Sequence, residues 1–393
     1  MDLPVYRLKL LDDFRCLAGD CPDDCCGSDW HIDVDGETVA RWQTLEDATL
    51  RERLLGALER VEADGREVWR LVMAGRRCTL QDPDGLCMVH ARLGPGFLGR
   101  VCREYPRQSR DFTTRRVETL ALSCPEVARL VFSATAPAEP FARPETGRDP
   151  DDPAAILENF VGRVLRARAP AAARVVVMAR MLVEMSRRAA EDRLTLDGLK
   201  GLCGNVRKPV EAATRELRSG RLRPDSETAG RFWTLVYRLT SVGKKERIDA
   251  RVTGSPLARM FEREEKSESD YAALGTEVKR LREAATNAVR ALHPDPAGRY
   301  LAVKFTSSGF PFAPFADNYI AAFLFAVLPL SFIQLYLWIL YDAKGSLEPA
   351  DLVNAVYQTE RIDAHSWRIY RYIVDNPAIL HLDRYEGCFG ELL

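Results

Sequence analysis

Eight of the ten cysteines in this 393-residue chain crowd into its first third, as Cys16-x4-Cys21-x3-Cys25-Cys26 and then Cys78-x8-Cys87-x14-Cys102-x21-Cys124. Thiolates are soft ligands, and the short loops of the first group have the length that lets two sulfurs reach one metal ion. The second group draws ligands from distant sequence, so binding would close the chain and add directly to folding free energy. Four thiolates suit a zinc site or a [4Fe-4S] cluster equally. Zinc often recruits histidine, and only His31 and His90 stand near. Adjacent side chains of an extended chain point apart, so one of Cys25 and Cys26 is expected to serve a given site. The candidate ligands are therefore Cys16, Cys21, Cys25, Cys26, Cys78, Cys87, Cys102 and Cys124, with Cys21, Cys87 and Cys102 expected to be indispensable. Free core cysteines are the plain alternative, but eight in so short a span argue against it. Cys203 and Cys388 stand apart and read as ordinary thiols.

The compartment follows from the same residues. Met1 to Arg15 mixes Arg7, Lys9, Asp12 and Asp13 with its apolar positions, so it does not read as a signal peptide. A reducing, cytoplasmic location is expected, where clustered thiols are metal ligands before they are disulfides. With 56 basic and 57 acidic residues the net charge is −1, which provides no general field for nucleic acid or anionic lipid. The basic run from Arg207 to Arg223 reads as a solvated helix face.

The elements that must position the thiols are short. Val5–Leu10 and Trp30–Val34 alternate as strands do, Glu37 to Glu62 reads as a helix, and Asp82-Pro83-Asp84-Gly85 is a turn between two cysteines. Gly94-x-Gly96-x-x-Gly99 has the letters of a dinucleotide loop, but Pro95 lies inside it and no buried strand precedes it, so a turn is expected. Prolines 137, 140, 144, 150 and 153 mark a linker. Beyond it the pattern is helical: stripes at Ile156–Leu165 and Met178–Met185, a long charged and alanine-rich helix from Tyr271 to Leu292, and an amphipathic stretch from Leu352 to Ile373. Tyr319–Tyr341 carries no charge and is long enough to cross a bilayer. Pro329 near its middle favours two buried helices joined at Leu328–Pro329 instead. The expected architecture is mainly α: a small cysteine-rich α+β metal-binding module (residues 1–133), a Pro-rich linker (134–153) and an all-helical body (154–393).

At Phe14-Arg15-Cys16, Cys21…Cys25-Cys26, Trp30-His31-Ile32-Asp33, Cys78-Thr79-Leu80, Gly85-Leu86-Cys87-Met88-Val89-His90, Leu93-Gly94, Cys102-Arg103-Glu104-Tyr105-Pro106-Arg107 and Ser123-Cys124-Pro125, the chain resembles the flagellin lysine-N-methylase family. Asp317-Asn318-Tyr319, before an apolar stretch ending at Leu328-Pro329, looks like that family's acidic-Asn-Tyr motif, with Asp in place of the usual Glu. The cysteine-rich half also resembles a broader group of zinc- or iron-chelating domains. The resemblance implies methyl transfer from S-adenosylmethionine to flagellin lysines by an enzyme holding an iron–sulfur cluster. A lysine amine attacks a methyl sulfonium only when neutral, so its usual pKa near ~10.4 must be lowered or its proton removed. Glu104, Tyr105 and Tyr319 are the candidates for that work. Arg103 and Arg107, beside Cys102, are placed to neutralise a thiolate cluster or to hold a cofactor carboxylate. The Cys-x3-Cys-x2-Cys pattern of radical S-adenosylmethionine enzymes is incomplete, since Ser28 stands where the third cysteine would fall. A non-catalytic zinc- or iron-binding module with a partner-binding helical domain is the competing expectation.

Overall fold

The computed structural model describes residues 3–27, 30–63, 65–75, 77–112, 115–142, 151–242, 255–263, 265–310, 319–362 and 386–389. The chain forms two compact units: Leu11–Gln108 with Leu120–Val127, and Met1–Leu10 with Ser109–Thr119 and Ala128–Leu393. All eight clustered cysteines belong to the first, smaller unit. Asp317, Asn318, His365, His381, residues 143–150 of the expected linker and the end of the Leu352–Ile373 stretch lie outside the described residues.

Strand β1 (Val5–Leu8) opens the chain in the larger unit, and the smaller unit follows with β2 (Asp33–Val34). The expected helix over Glu37–Glu62 is instead α1 (Gly36–Gln43), α2 (Ala48–Leu55) and β3 (Leu58–Ala63). Local chemistry makes the break. Asp47 accepts the amide of Leu50 and starts a new helix, and Gly56 ends it. The next six residues then pair antiparallel with β4 (Arg66–Leu71), whose other edge takes β2. Gly65, at φ 71°, supplies the left-handed turn of that hairpin. A small hairpin, β5 (Met73–Ala74) and β6 (Arg77–Cys78), leads to α3 (Met88–Leu93) and α4 (Arg100–Glu104). Ile32, Val34, Val39, Trp42, Leu50, Leu54, Leu71, Leu80 and Val89 form the core of this unit. The Trp42 indole donates to the Phe97 carbonyl at 2.9 Å, so a large apolar ring is buried with its one polar atom satisfied.

The larger unit contains most of β7 (Arg107–Asp111) and β8 (Arg116–Leu120), the end of α5 (Pro125–Val131), and β9 (Phe141–Ala142), and the sheet has the order β7-β8-β1-β9. Its body is helical: α6 (Pro153–Arg166), α7 (Ala171–Ala190), α8 (Leu196–Gly204), α9 (Arg207–Ser219), α10 (Ser226–Val242), α11 (Pro256–Glu262), α12 (Glu268–Leu292), α13 (Pro296–Ser307), α14 (Tyr319–Lys344), α15 (Pro349–Ile362) and α16 (Glu386–Phe389). Helices α10 and α12 cross closely because both contacts are glycine. A Cβ on Gly275 would stand 1.8 Å from the Ser226 carbonyl oxygen, and one on Gly230 1.9 Å from that of Tyr271.

Helix α14 runs unbroken through Pro329, where two helices were expected. A proline inside a helix removes one ladder bond and costs about 3 kcal/mol. Burial on nearly every side outweighs that cost. It is the one helix among the described residues long and apolar enough to cross a membrane, and 89% of its most apolar stretch is buried against the other helices. Charges in this unit are buried in pairs. Lys304 meets both oxygens of Glu360 at 2.8 and 2.9 Å, with the Tyr300 hydroxyl on the same carboxylate. Arg115 is paired with Glu158 beneath the rings of Tyr6 and Phe112. Cys203 and Cys388 are both buried, and burial pushes the Cys203 thiol up to about 11.

Candidate metal centre

The smaller unit brings the thiols in on separate pieces of backbone. Cys25 and Cys26 occupy a single 3-10 turn (Cys25–Gly27), closed by the Asp24 carboxylate, which accepts the Gly27 amide at 2.5 Å. The turn, unlike an extended chain, lets adjacent side chains meet, and the two thiols hydrogen-bond to each other. Cys78 ends β6, opposite Met73, and that strand packs on the Cys25–Gly27 turn. The turn from Asp82 to Gly85 is present: the Gly85 amide reaches the Asp82 carbonyl at 3.0 Å, and the Asp82 carboxylate takes the Leu86 amide at 2.8 Å. It returns the chain so that Cys87 bridges Gln81 and begins α3. Cys102 lies within α4, and Cys26, Cys78, Cys87 and Cys102 all pack on one apolar cluster.

One side chain ties these pieces together. The Gln81 amide nitrogen donates to Asp24 at 3.2 Å and to the Gly85 carbonyl at 2.7 Å, linking the double-cysteine turn to the Cys78–Cys87 loop. A second tie fixes α4. Asp35 caps α1 through the Thr38 amide and also accepts the Arg100 amide at 2.8 Å, two residues before Cys102. Burial works to raise this carboxyl, but the amides of Arg100 and Thr38 outweigh it and hold the group at about 2. Neither tie was foreseen from sequence.

The sulfurs share one electrostatic neighbourhood. Burial, and after it the charges of Cys25, Cys87 and Cys78, push the Cys102 thiol up to about 12. Cys26 is raised far above the ordinary thiol range, first by its hydrogen bond to Cys25, then by burial and by Cys25, Cys102 and Cys87. Cys78 is raised by burial against the opposing Leu80 amide, with Cys87, Asp24 and Cys25 adding to the effect. Cys124, just before α5, is pushed up to about 11 by burial, which overcomes amide bonds from Val127 and Glu126; its sulfur neighbours are Cys21 and Cys25. Cys16 is exposed, its sulfur accepting the Ala18 amide at 3.4 Å. All ten cysteines are free.

Gathered thiols that raise one another's proton affinity are a chemical fit for a soft cation or an iron–sulfur cluster, whose positive charge would replace their protons. Among the described residues no three Cys, His, Asp or Glu side chains are set to hold one ion. His31 and His90 are exposed.

The remaining candidates are dispersed. Tyr105 is half-buried, its hydroxyl 3.2 Å from that of Ser123 and its ring edge-on to Trp30 at 5.0 Å. Arg103 and Glu104 are exposed on α4, and Arg107 lies over the Phe14 ring at 5.0 Å. Tyr319 begins α14 in the larger unit. Gly94, at φ 81°, ends α3, and a short 3-10 turn follows, so the glycine triplet is a chain reversal.

A disulfide-free, thiol-gathering module joined in one chain to a mainly helical body is the class of protein that this fold defines. Comparison with known proteins places it further. Over 135 residues it is 30% identical to the flagellar biosynthetic protein FliU of Salmonella muenchen, an alignment covering 34% of this chain and 79% of that protein. Over 135 residues it is 27% identical to the lysine-N-methylases of Salmonella typhimurium and Salmonella choleraesuis, covering 34% of this chain and 33% of each. The chain belongs to the family of FliU and these lysine-N-methylases, the flagellin lysine-N-methylase family. The match spans about a third of the methylases' length. No family profile and no solved structure matches the chain.

Proposed function

We propose that this protein is a cytoplasmic protein-lysine N-methyltransferase that uses S-adenosylmethionine to methylate flagellin, with an iron–sulfur cluster, most simply [4Fe-4S], bound by the cysteines of its smaller unit. The observation that carries the reading is the likeness to two lysine-N-methylases in a chain that gathers its thiols without disulfides. In the reaction the lysine nitrogen forms a bond to the methyl carbon, the sulfonium–carbon bond breaks, and the amine loses a proton. When bound, the cluster supplies a fixed local charge and a fold-closing staple. The residues have separate tasks. Tyr105, held by Ser123 and Trp30 close in sequence to Cys102, is the best positioned of the three proton-handling candidates. Arg103, exposed one residue after Cys102, presents a guanidinium suited to a cofactor carboxylate. Arg107 is engaged with Phe14, which leaves it the poorer candidate for that task.

The test is anaerobic purification followed by incubation with S-adenosylmethionine and unmodified flagellin. Brown protein with iron and sulfide, and flagellin lysines gaining methyl groups by mass spectrometry, are expected. Cluster-loaded protein that transfers no methyl to flagellin would refute the assignment. A second reading is a non-catalytic metal-binding module with a partner-binding helical body. It draws on FliU, the relative most completely covered, which is named for flagellar biosynthesis and not for methylation. Colourless protein with stoichiometric zinc and no methyl transfer would select it.

A further inference from the structure

We infer that the outward face of α9, with the turn that follows it, is a docking surface for an acidic, Asp- and Glu-rich segment of a partner protein. The observation behind it is charge that the fold leaves uncompensated, and it is independent of metal binding and of methyl transfer. Between Asn205 and Asp225 the chain carries six cations and three carboxylates. Each carboxylate is already engaged: Glu211 with Arg207 at 2.8 Å, Glu216 with Arg180 at 2.6 Å, and Asp225 with the Thr228 amide at 2.7 Å. Lys208, Arg215, Arg218, Arg221 and Arg223 are exposed, and none of them forms an ion pair with another described residue. Val210 and Ala213 are buried where α9 packs on α7, and at helical spacing Lys208, Arg215 and Arg218 share the other side. From Lys208 to Arg218 that side runs for about 15 Å, and Arg221 and Arg223 follow directly past the left-handed Gly220.

Helix stability does not account for this arrangement. Cations suit the last turn of a helix, where Arg218 lies, and work against the first, where Lys208 stands with Arg207 and no acid. Arg215 and Arg218, three residues apart on one side, repel each other. Charges held at the surface against the local rules fit an external anion. Its kind follows from the surroundings. Four of the five cations are arginines, whose planar forks take a carboxylate through two bonds at once. No aromatic residue stands between Asn205 and Asp225 for a nucleic-acid base to stack on. Val210, Ala213 and Leu222 are buried, which leaves the exposed face without the apolar stripe that a bilayer surface needs.

The probe is a fluorescein-labelled peptide of about ten glutamates, long enough to cover the face when extended, followed by anisotropy on the full-length protein. Binding is expected at low salt and is expected to fall as ionic strength rises through about 0.1 M. Lys208→Gln/Arg215→Gln/Arg218→Gln is expected to weaken it about tenfold, as the loss of three exposed ion pairs would. Charge reversal in Arg215→Glu/Arg218→Glu is expected to abolish it. The unfolding midpoint separates docking from a structural role: the glutamine variant, with less self-repulsion, is expected to melt at or above wild type. A lower midpoint with unchanged peptide affinity would assign these charges to the fold and overturn the docking surface. A peptide that does not bind even at low salt would overturn it too. Tighter binding of an oligothymidine of equal length, or of phosphatidylserine vesicles, lost in the same variant, would overturn the choice of a protein partner.

Discussion

The two compact units solve the same problem with different resources. In the larger, α12 and α14 run for 25 and 26 residues, and the core continues from helix to helix around α14. In the smaller, no helix among the described residues exceeds eight residues, and a three-stranded sheet of short strands carries the core. Isolated helices below about 12–15 residues are marginal in water, and small cores usually need a staple. The body stays folded by burying apolar surface. The cysteine unit has less to bury, and thiols are part of what it packs.

That contrast is open to attack at several points. The largest expected effect is from metal removal. Structural metal binding is worth on the order of 10 kcal/mol, so chelation should bring amide exchange in β2, β3 and β4 close to unprotected rates while α14 remains protected. Hydrogen-exchange mass spectrometry of loaded and stripped protein makes the comparison. Equal protection of both units in both forms would remove the distinction.

Next in size is Glu360→Ala, which leaves Lys304 as a buried unpaired cation. Breaking such a pair costs about 3–5 kcal/mol, so the body's unfolding midpoint should fall sharply with metal content unchanged. Gly275→Ala drives a methyl group against the Ser226 carbonyl; overpacking of this kind costs about 1–3 kcal/mol. Denaturant melts followed by tryptophan fluorescence, to which the buried Trp233 and Trp338 of the body contribute, would register both.

Smallest is Asp35→Ala, at about 1 kcal/mol for a lost helix cap, here with the anchor of α4 removed as well. The sign of its pH dependence is fixed. The folded carboxyl sits at about 2, below its unfolded value of 3.8, so its contribution is complete above about pH 4 and disappears as the pH falls toward 2. Wild type should therefore lose stability in the smaller unit across that window more steeply than Asp35→Ala does. Parallel acid titrations would show the variant's curve to be flatter, or refute the role.

Much of the body was legible because long helices repeat their signal: the stripes at Ile156–Leu165 and Met178–Met185 and the run from Tyr271 to Leu292 are all helical. Pro329 misled, because a single-residue rule about hydrogen bonding was set against the burial of a whole helix, which only the tertiary structure reveals. The segment from Glu37 to Glu62 misled for the opposite reason. Its caps at Asp47 and Gly56 are legible, but the hairpin after them is selected by pairing with residues 66–71. At the candidate centre, cysteine density picked out one compact unit, which holds all eight of the clustered thiols. What spacing could not carry is how sulfurs separated by tens of residues sort themselves in space. Gln81 and Asp24 lie 57 residues apart, and nothing in either side chain announces the bridge between them.

The claim beneath all of this is that sulfur alone surrounds a metal in the smaller unit. X-ray absorption at the metal edge of anaerobically purified protein reads that shell directly. Four sulfur neighbours at about 2.3 Å per metal atom are expected, with a short metal–metal distance if the centre is a cluster. A shell of nitrogen and oxygen, or protein that purifies and stays folded with no metal at all, would contradict it.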